Sequence, residues 1–296
     1  MIGIRRRHTS HQTVLVERVS LWRGVLAWIV ALVAFFPVLY IFVTGFKSEQ
    51  NALAEPPTII PSTGGGFPLS FPFTTDNYAA VLSPERHFLP FFMNSIMLVV
   101  LSGFVVMLLA IPCAYTLSWK RRGQNRSILF FFLSTKFLPA VGVIIPIFII
   151  ARDLKIIDQP IALLIMYTAM NLPIAIWMLR SFFDEVPRDV IDAARVDGAS
   201  TRQELFGIAL PMITPGLVAT LFICSIFAWN EFFFALNLAA TRAATVPMFM
   251  IGFETSEGLF WAKLAAAGTM AMLPVVIVGW AAQRSLVRGL SMGAVK

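Results

Sequence analysis

Long apolar runs separated by short polar punctuation set the pattern of this chain. A helix needs about 20 predominantly apolar residues to cross the hydrocarbon core of a bilayer. Six stretches qualify: residues 24–46, a charge-free run within 88–119, 127–151, 159–179, a run within 211–236, and 259–283. The third is interrupted by Lys136, with Pro139 and Pro146 beyond it, which predicts a helix kinked around that cation. The expected fold is therefore all-α and polytopic, with six transmembrane helices and both termini on one side. The first run is too long for the apolar region of a signal peptide and no small-residue cleavage site follows it, so it is expected to remain as an anchor.

Two segments between the runs break the pattern. The stretch "EPPTIIPSTGGGFPLSFPFTTDNYAAVLSPERHF" is rich in Pro and Gly and reads as an extended loop ending in a short helix from about Asp76. Residues 181–214 are polar but not linker-like. Pro187 fits a first helical turn and residues 188–196 have helix-forming composition. Gly198 can adopt the positive φ that ends such a helix. Thr201 with Glu204 then matches a capping box. Leu205, Ile208 and Ala209 share a face, and Pro211 ends the pattern. The expectation is a short helix, a glycine turn and a second short helix leading into the fifth span. On the residues alone this is either an ordinary amphipathic interfacial loop or a docking element for a cytoplasmic partner.

Composition supports the membrane assignment. Of 296 residues, 58% are hydrophobic and 13% charged, more apolar surface than a soluble domain of this length covers. The net charge of +7 would suggest nucleic acid in a soluble protein; here its placement sets orientation instead. With the N-terminus inside, the inner segments hold 16 cations and the outer ones five (Lys47, Arg86, Arg152, Lys155 and Arg242). The inner set is Arg5, Arg6, Arg7, Arg18, Arg23, Lys120, Arg121, Arg122, Arg126, Arg180, Arg188, Arg195, Arg202, Arg284, Arg288 and Lys296. This predicts an N-in, C-in topology: a cytoplasmic segment 1–23, a permease domain 24–284 with an outer loop 47–87 and an inner loop 181–214, and a cytoplasmic tail 285–296. Cys113 and Cys224 lie in apolar runs and read as small core residues. His8, His11 and His87 have no metal-ligand spacing, so no metal site is expected.

Ionisable and amide side chains at membrane depth are candidate functional groups. Lys136 lies about 14 Å into the third span from the inner side, at 1.5 Å per residue. Asn171, Asn230 and Glu231 complete the candidates for a solute path, each with a structural alternative as interhelical glue. Glu231 and Lys263 near the outer ends of the last two spans either pair or snorkel. Ala262, Ala266, Ala267, Ala271 and Gly268 form a small-residue stripe suited to close packing, within the bundle or against a partner. No G-x-x-x-x-G-K-[ST] phosphate loop, nucleophile elbow or H-E-x-x-H occurs, so no catalytic residue is expected.

Asp192-Ala193-Ala194, then Gly198, Ile208, Leu210-Pro211 and Pro215 resemble the "EAA" loop of ABC-importer permeases, with Asp192 where that family usually carries Glu. "FTTDNYAAVL" (73–82), "WNEFFFALNL" (229–238) and "LVRGLSMGAVK" (286–296) are similar to the sugar-type permeases, the group resembling the second maltose permease. The segments "FETSEGLFWAKLAAAGTMAMLPVV" and "RGLSMGAVK" look most like its polyol (mannitol/sorbitol) branch. The resemblance implies a coupling helix between the fourth and fifth spans, formed by Asp192, Ala193, Ala194, Gly198, Ala199, Glu204, Leu205, Ile208, Leu210 and Pro211 and seated on a cytoplasmic ATPase dimer. It further implies a second permease, a periplasmic solute-binding protein and residence in a bacterial cytoplasmic (inner) membrane. ATP would be bound by the partner subunits, with no cofactor on this chain and no nucleic acid. Rival solutes are an oligosaccharide or glycerol phosphate. A secondary transporter would need intramembrane carboxylates, for which only Glu231 is a candidate.

Overall fold

A backbone N–H or C=O finds no partner in hydrocarbon, so a chain with these runs must close its hydrogen bonds within each segment. The computed structural model describes residues 21–62, 70–86, 88–119, 125–255 and 258–292, and the apolar runs in it are helices. Arg5, Arg6, Arg7, Arg18, Lys120, Arg121, Arg122 and Lys296 of the predicted inner surface, and the histidines at 8, 11 and 87, lie outside the described residues.

Helix α1 (Leu21–Thr44) leads through α2 (Glu49–Ala52) and a parallel pairing of β1 (Ile60–Ser62) with β2 (Ser70–Pro72) to α3 (Asp76–Leu82). The predicted short helix thus begins at Asp76. Next come α4 (Phe88–Trp119), α5 (Asn125–Thr135), α6 (Ala140–Asp153) and α7 (Pro160–Asp184). The polar stretch forms α8 (Arg188–Val196), α9 (Thr201–Gln203), a π-helical segment Glu204–Ala209 and α10 (Leu210–Met212), followed by α11 (Thr214–Trp229). Then come α12 (Phe233–Leu238), α13 (Val246–Ile251), a β3–β4 hairpin (Glu254–Thr255 with Gly258–Leu259) and α14 (Trp261–Met292).

Among the described residues, α1, α4, α7 and the Trp261–Gln283 part of α14 are long and apolar enough to cross a membrane. Two further candidates are bent pairs. Ser127–Thr135 meets Ala140–Asp153 at 83°, and Thr201–Met212 meets Thr214–Trp229 at 80°. The kink expected around Lys136 is there, as a sharp elbow that separates two helices. Pro139 has no N–H to continue the ladder and disfavours helical geometry at Leu138, so the first helix ends before it.

Helix α4 packs along α7, while α11 lies against α4, α7 and α14. Helix α1 stands on the outside against α14, and Thr44 is its only buried residue. One core joins Val106 and Tyr115 of α4 and Leu179 and Phe183 of α7 to Ile191, Leu205, Ala209 and Ile213 of the polar stretch. A second gathers Leu98, Tyr167, Phe234 and Leu238, and a third Val81, Phe88, Phe249 and Ala266. Part of the alanine stripe closes within the chain: Ala262, Ala266 and Ala267 are fully buried and Gly268 faces Met250 and Ile41, while Ala271 is partly exposed.

The outer connections are held by side chains that cap backbone. Asn77 donates to the carbonyls of Gly45 and Lys47 (3.0 and 2.7 Å), tying α3 to the end of α1. Glu49 accepts the N–H groups of Ala262 and Lys263 (2.9 and 3.2 Å) at the start of α14. Asp158 accepts from the amides of Ala240, Thr241, Arg242 and Ala243 at 2.8–3.2 Å. On the other flank of this loop Asn94 donates to the carbonyls of Arg242 and Ala244, and the Ser95 hydroxyl accepts from Val246 N–H. Burial alone would raise the Asp158 pKa, but the four amides outweigh it and bring the carboxyl down to about 2.

Two expectations follow. A Cβ on Gly216 of α11 would sit 2.3–2.6 Å from ring atoms of Phe182 on α7, whereas one on Gly207 meets nothing within 4 Å. Gly216→Val should lower the thermal midpoint of the detergent-solubilised protein, at an overpacking cost of about 1–3 kcal/mol, and Gly207→Ala should not; equal losses would remove the packing account. Asp158→Ala should speed deuterium exchange at residues 240–243. Because the folded pKa lies below the ordinary 3.8, the anchor acts fully above that value and is lost only as pH falls through about 2. Exchange at these amides that matches the variant's already at pH 5 would refute it.

Candidate coupling site and solute path

Helix α8 forms where the sequence places it, Arg188–Val196, with Pro187 as N-cap one residue ahead of the predicted first turn. Asp189 in its first turn and Arg195 in its last complement the helix dipole. Gly198 has φ +83°, as expected, and with it the helix ends in a Schellman arrangement: Gly198 N–H reaches Arg195 C=O and Ala199 N–H reaches Ala194 C=O (3.0 and 2.9 Å).

The next cap corrects the sequence reading. Ser200, not Thr201, is the N-cap, and its capping-box partner is Gln203, not Glu204. The Ser200 N–H donates to Gln203 Oε1 at 2.8 Å. Both readings satisfy the same spacing rule, and a one-residue shift turns Glu204 inward. There it is only 4% exposed and accepts from Arg195 Nε and Nη2, both at 3.0 Å, and from the Tyr115 hydroxyl of α4 at 2.8 Å. Burying a carboxylate is costly unless it is paired and hydrogen-bonded, and here every lone-pair direction used points to a donor. Arg195 also lies 3.4 Å from Asp192.

The fold divides the predicted coupling residues into two faces. Asp192, Ala193, Gly198 and Pro211 are exposed, together with Val190 and Val196, which is 88% exposed. Ala194, Glu204 and Leu205 are buried, and Ala199, Ile208 and Leu210 are partly so. The outer face is a small apolar ridge flanked by Asp189, Asp192 and Arg188; the inner face belongs to the helical core. The last turn of α4 lies beneath this hairpin. Besides Tyr115, its Ser118 hydroxyl donates to Asp184 Oδ1 at 2.6 Å, Arg180 pairs with Asp184 at 3.2 Å, and Arg188 stacks over Trp119 at 5.8 Å. Arg195, Tyr115, Ser118 and Asp184 escaped the sequence reading. Tyr115 and Glu204 are 89 positions apart, and no local pattern links them.

The four candidate path residues are not brought together. Lys136 sits at the elbow between α5 and α6, exposed, with Nζ donating to Met170 C=O at 2.8 Å and lying 5.6 Å from the Phe227 ring. Asn171 is 1% exposed and its Oδ1 has no hydrogen-bond partner among the described residues. Glu231 does not pair with Lys263. Its carboxylate accepts from Phe234 and Ala235 N–H (2.9 and 3.2 Å), capping α12, while the Lys263 ammonium lies 4.6 Å from the Phe260 ring. Asn230 lines a cavity of about 480 Å³ where α11 ends. Trp229, Met250, Gly268, Ala271 and Met272 share that lining, which holds no ionisable side chain. Trp229 and Val275 also border an adjoining cleft of about 500 Å³ between α4, α11 and α14, whose lining is apolar except for Ser225.

Known proteins share this architecture and sequence. Residues 100–292 match the family described as binding-protein-dependent transport system inner membrane component. A probable ABC transporter permease protein, y4oR, of Sinorhizobium fredii is 34% identical over 97% of this chain and 99% of its own. The trehalose/maltose transport system permease protein MalG of Thermococcus litoralis is 32% identical over 91% of this chain and 94% of its own. Among solved structures, a chain of a bacterial ABC transporter involved in the import of the acidic polysaccharide alginate superposes with a TM-score of 0.69 at 26% identity, covering 89% of this chain and 95% of that one. With a hairpin that is half core and half exposed ridge, and no nucleotide-binding loop in its sequence, this chain belongs to the binding-protein-dependent transport system inner membrane components: it is a permease subunit of an ABC importer, and ATP hydrolysis takes place on a separate subunit.

Proposed function

We propose that this chain forms, with a second related permease, the membrane pathway for a neutral sugar or sugar alcohol. In this reading it crosses a bacterial inner membrane six times with both termini inside, the bent pair α5 and α6 counting as one span and α11 supplying the fifth, with Thr201–Met212 on the inner side. A periplasmic solute-binding protein delivers the solute, and a cytoplasmic ABC ATPase dimer binds the ATP; this chain needs no cofactor. The observation that carries the reading is the two-faced hairpin. Val190, Ala193 and Val196 project from a helix whose other side, Ile191 and Ala194, is locked into the core. An apolar ridge on a rigid base suits a groove on a partner that must transmit force.

Two facts favour a neutral hydroxylated solute. Relatives of this chain are named for trehalose/maltose transport, and the cavity at Trp229 and Asn230 offers an indole and an amide without a charged group. An acidic polysaccharide, as imported by the alginate transporter, would ask for cations that this lining lacks. Within sugars, the polyol branch is the narrower choice, resting on residues 253–276 and 288–296. Asn230 is the residue assigned to the path. Lys136 braces the elbow, Glu231 caps α12, and Asn171 keeps an open acceptor beside the core of α7.

Gly198→Val places a β-branched residue at φ +83°, which should distort the turn while leaving the spans folded. Solute-dependent ATP hydrolysis should then no longer drive uptake in the reconstituted complex; uptake at the unaltered rate would remove the coupling role of the hairpin. Asn230→Ala should raise the solute concentration for half-maximal uptake without changing co-purification of the ATPase. Unaltered uptake kinetics would return Asn230 to a purely structural position.

A further inference from the structure

We infer that the last turn of α4 is the strut that carries motion of the coupling hairpin into the bundle, with Glu204, Tyr115 and Ser118 as its positioning residues. The inference rests on the coupling role proposed above and concerns how that role is executed. It starts from where the hairpin is fastened. The segment entering α8 is held at Asp184 by Ser118, at 2.6 Å, and the segment leaving it is held at Glu204 by Tyr115, at 2.8 Å. Tyr115 and Ser118 are one helical turn apart on α4, so both flanks of the hairpin are tied to the same turn of one helix. Arg188 over Trp119 adds a third tie at 5.8 Å. Within the hairpin, Arg195 and Glu204 close a bidentate pair that joins α8 to the segment after it.

The covalent route to α11 is different in kind. It runs through the π-helical segment Glu204–Ala209, then turns by 80° between Met212 and Thr214. A π-segment carries wider, less regular hydrogen bonding than an α-helix, and a bend of this size is a joint and not a rod. Force applied at Ala193 therefore meets a jointed connection toward α11 and a cross-braced one toward α4. Helix α4 then passes the motion along its full contact with α7. Tyr115 also stacks edge-on against Phe183, 5.5 Å between centroids, so the strut is set in packed core.

The test uses the reconstituted complex with its partner subunits, comparing Tyr115→Phe/Ser118→Ala and Glu204→Gln with the unaltered chain. The strut predicts that the ATPase still co-purifies, that half-saturating solute and ATP concentrations hold, and that solute moved per ATP hydrolysed falls about fivefold or more. A merely structural role would lower yield or thermal midpoint and leave that ratio alone. Spin labels at Thr201, exposed on the hairpin but off its apolar ridge, and at Thr116, with Cys113 and Cys224 replaced by alanine, should keep one separation through the ATP cycle; in the Tyr115→Phe/Ser118→Ala chain the separation should vary with nucleotide. If Glu204→Gln does not fold, the Tyr115→Phe/Ser118→Ala chain, which keeps the ring against Phe183, carries the test. An assembled variant with an unchanged ratio and a fixed label separation overturns the strut. If Gly198→Val uncouples while these variants do not, only the strut fails; if none of them changes the ratio, the coupling role fails with it.

Discussion

The rest of the molecule depends on the seam where α4 and α7 lie against each other. Ala110 and Ala114 of α4 and Ala175 of α7 are fully buried in it. Between helices in lipid there is no hydrophobic drive to associate, so close approach through small side chains and dispersion does the holding. Only along such a seam can α4 present Tyr115, Ser118 and Trp119 beneath the chain that leaves α7. The hairpin packs onto that surface: Ile191, Leu205, Ala209 and Ile213 share one core with Leu179 and Phe183.

The polar groups of the bundle are spent mostly on backbone. Glu49 caps α14, Glu231 caps α12, Asp158 gathers four amides, and Asn77 and Asn94 each bridge two carbonyls. Every broken helix or tight loop near a membrane leaves unpaired N–H and C=O groups, and each costs more there than in water. A side chain that satisfies two at once is an economical answer. Glu204 and Asp184 differ, since both are spent on side chains, Glu204 on Arg195 and Tyr115 and Asp184 on Ser118 and Arg180.

Much of the fold was legible along the chain. The apolar runs are helices, α3 starts at Asp76, α8 spans the predicted residues and Gly198 has positive φ, because each depends on near neighbours and local geometry. The misreadings share one cause. The capping box at Ser200–Gln203 and the one expected at Thr201–Glu204 have the same spacing, and what separates them is a buried site for a carboxylate, built by Arg195 and a tyrosine on a distant helix. At the elbow the Lys136 ammonium donates to Met170 C=O on another helix, a partner that no local pattern indicates. Glu231 and Lys263 look like partners by depth, yet a helix start two residues on offers Glu231 the N–H groups of Phe234 and Ala235.

By itself, the sequence determined that this is a membrane chain, where its helices run, and that the polar stretch between two apolar runs is an ordered hairpin. Those outcomes follow from hydrocarbon thickness, helical period and the φ range of glycine, which act over a few turns at most. Only the tertiary structure decided which face of the hairpin is core and which is free, that Asn230 lines a cavity while Lys136 turns to a carbonyl and Glu231 to a helix start, and that α4 holds both flanks of the hairpin. Those depend on pairs of residues up to 89 positions apart, and their meeting is fixed by how whole helices pack and not by any pattern along the chain.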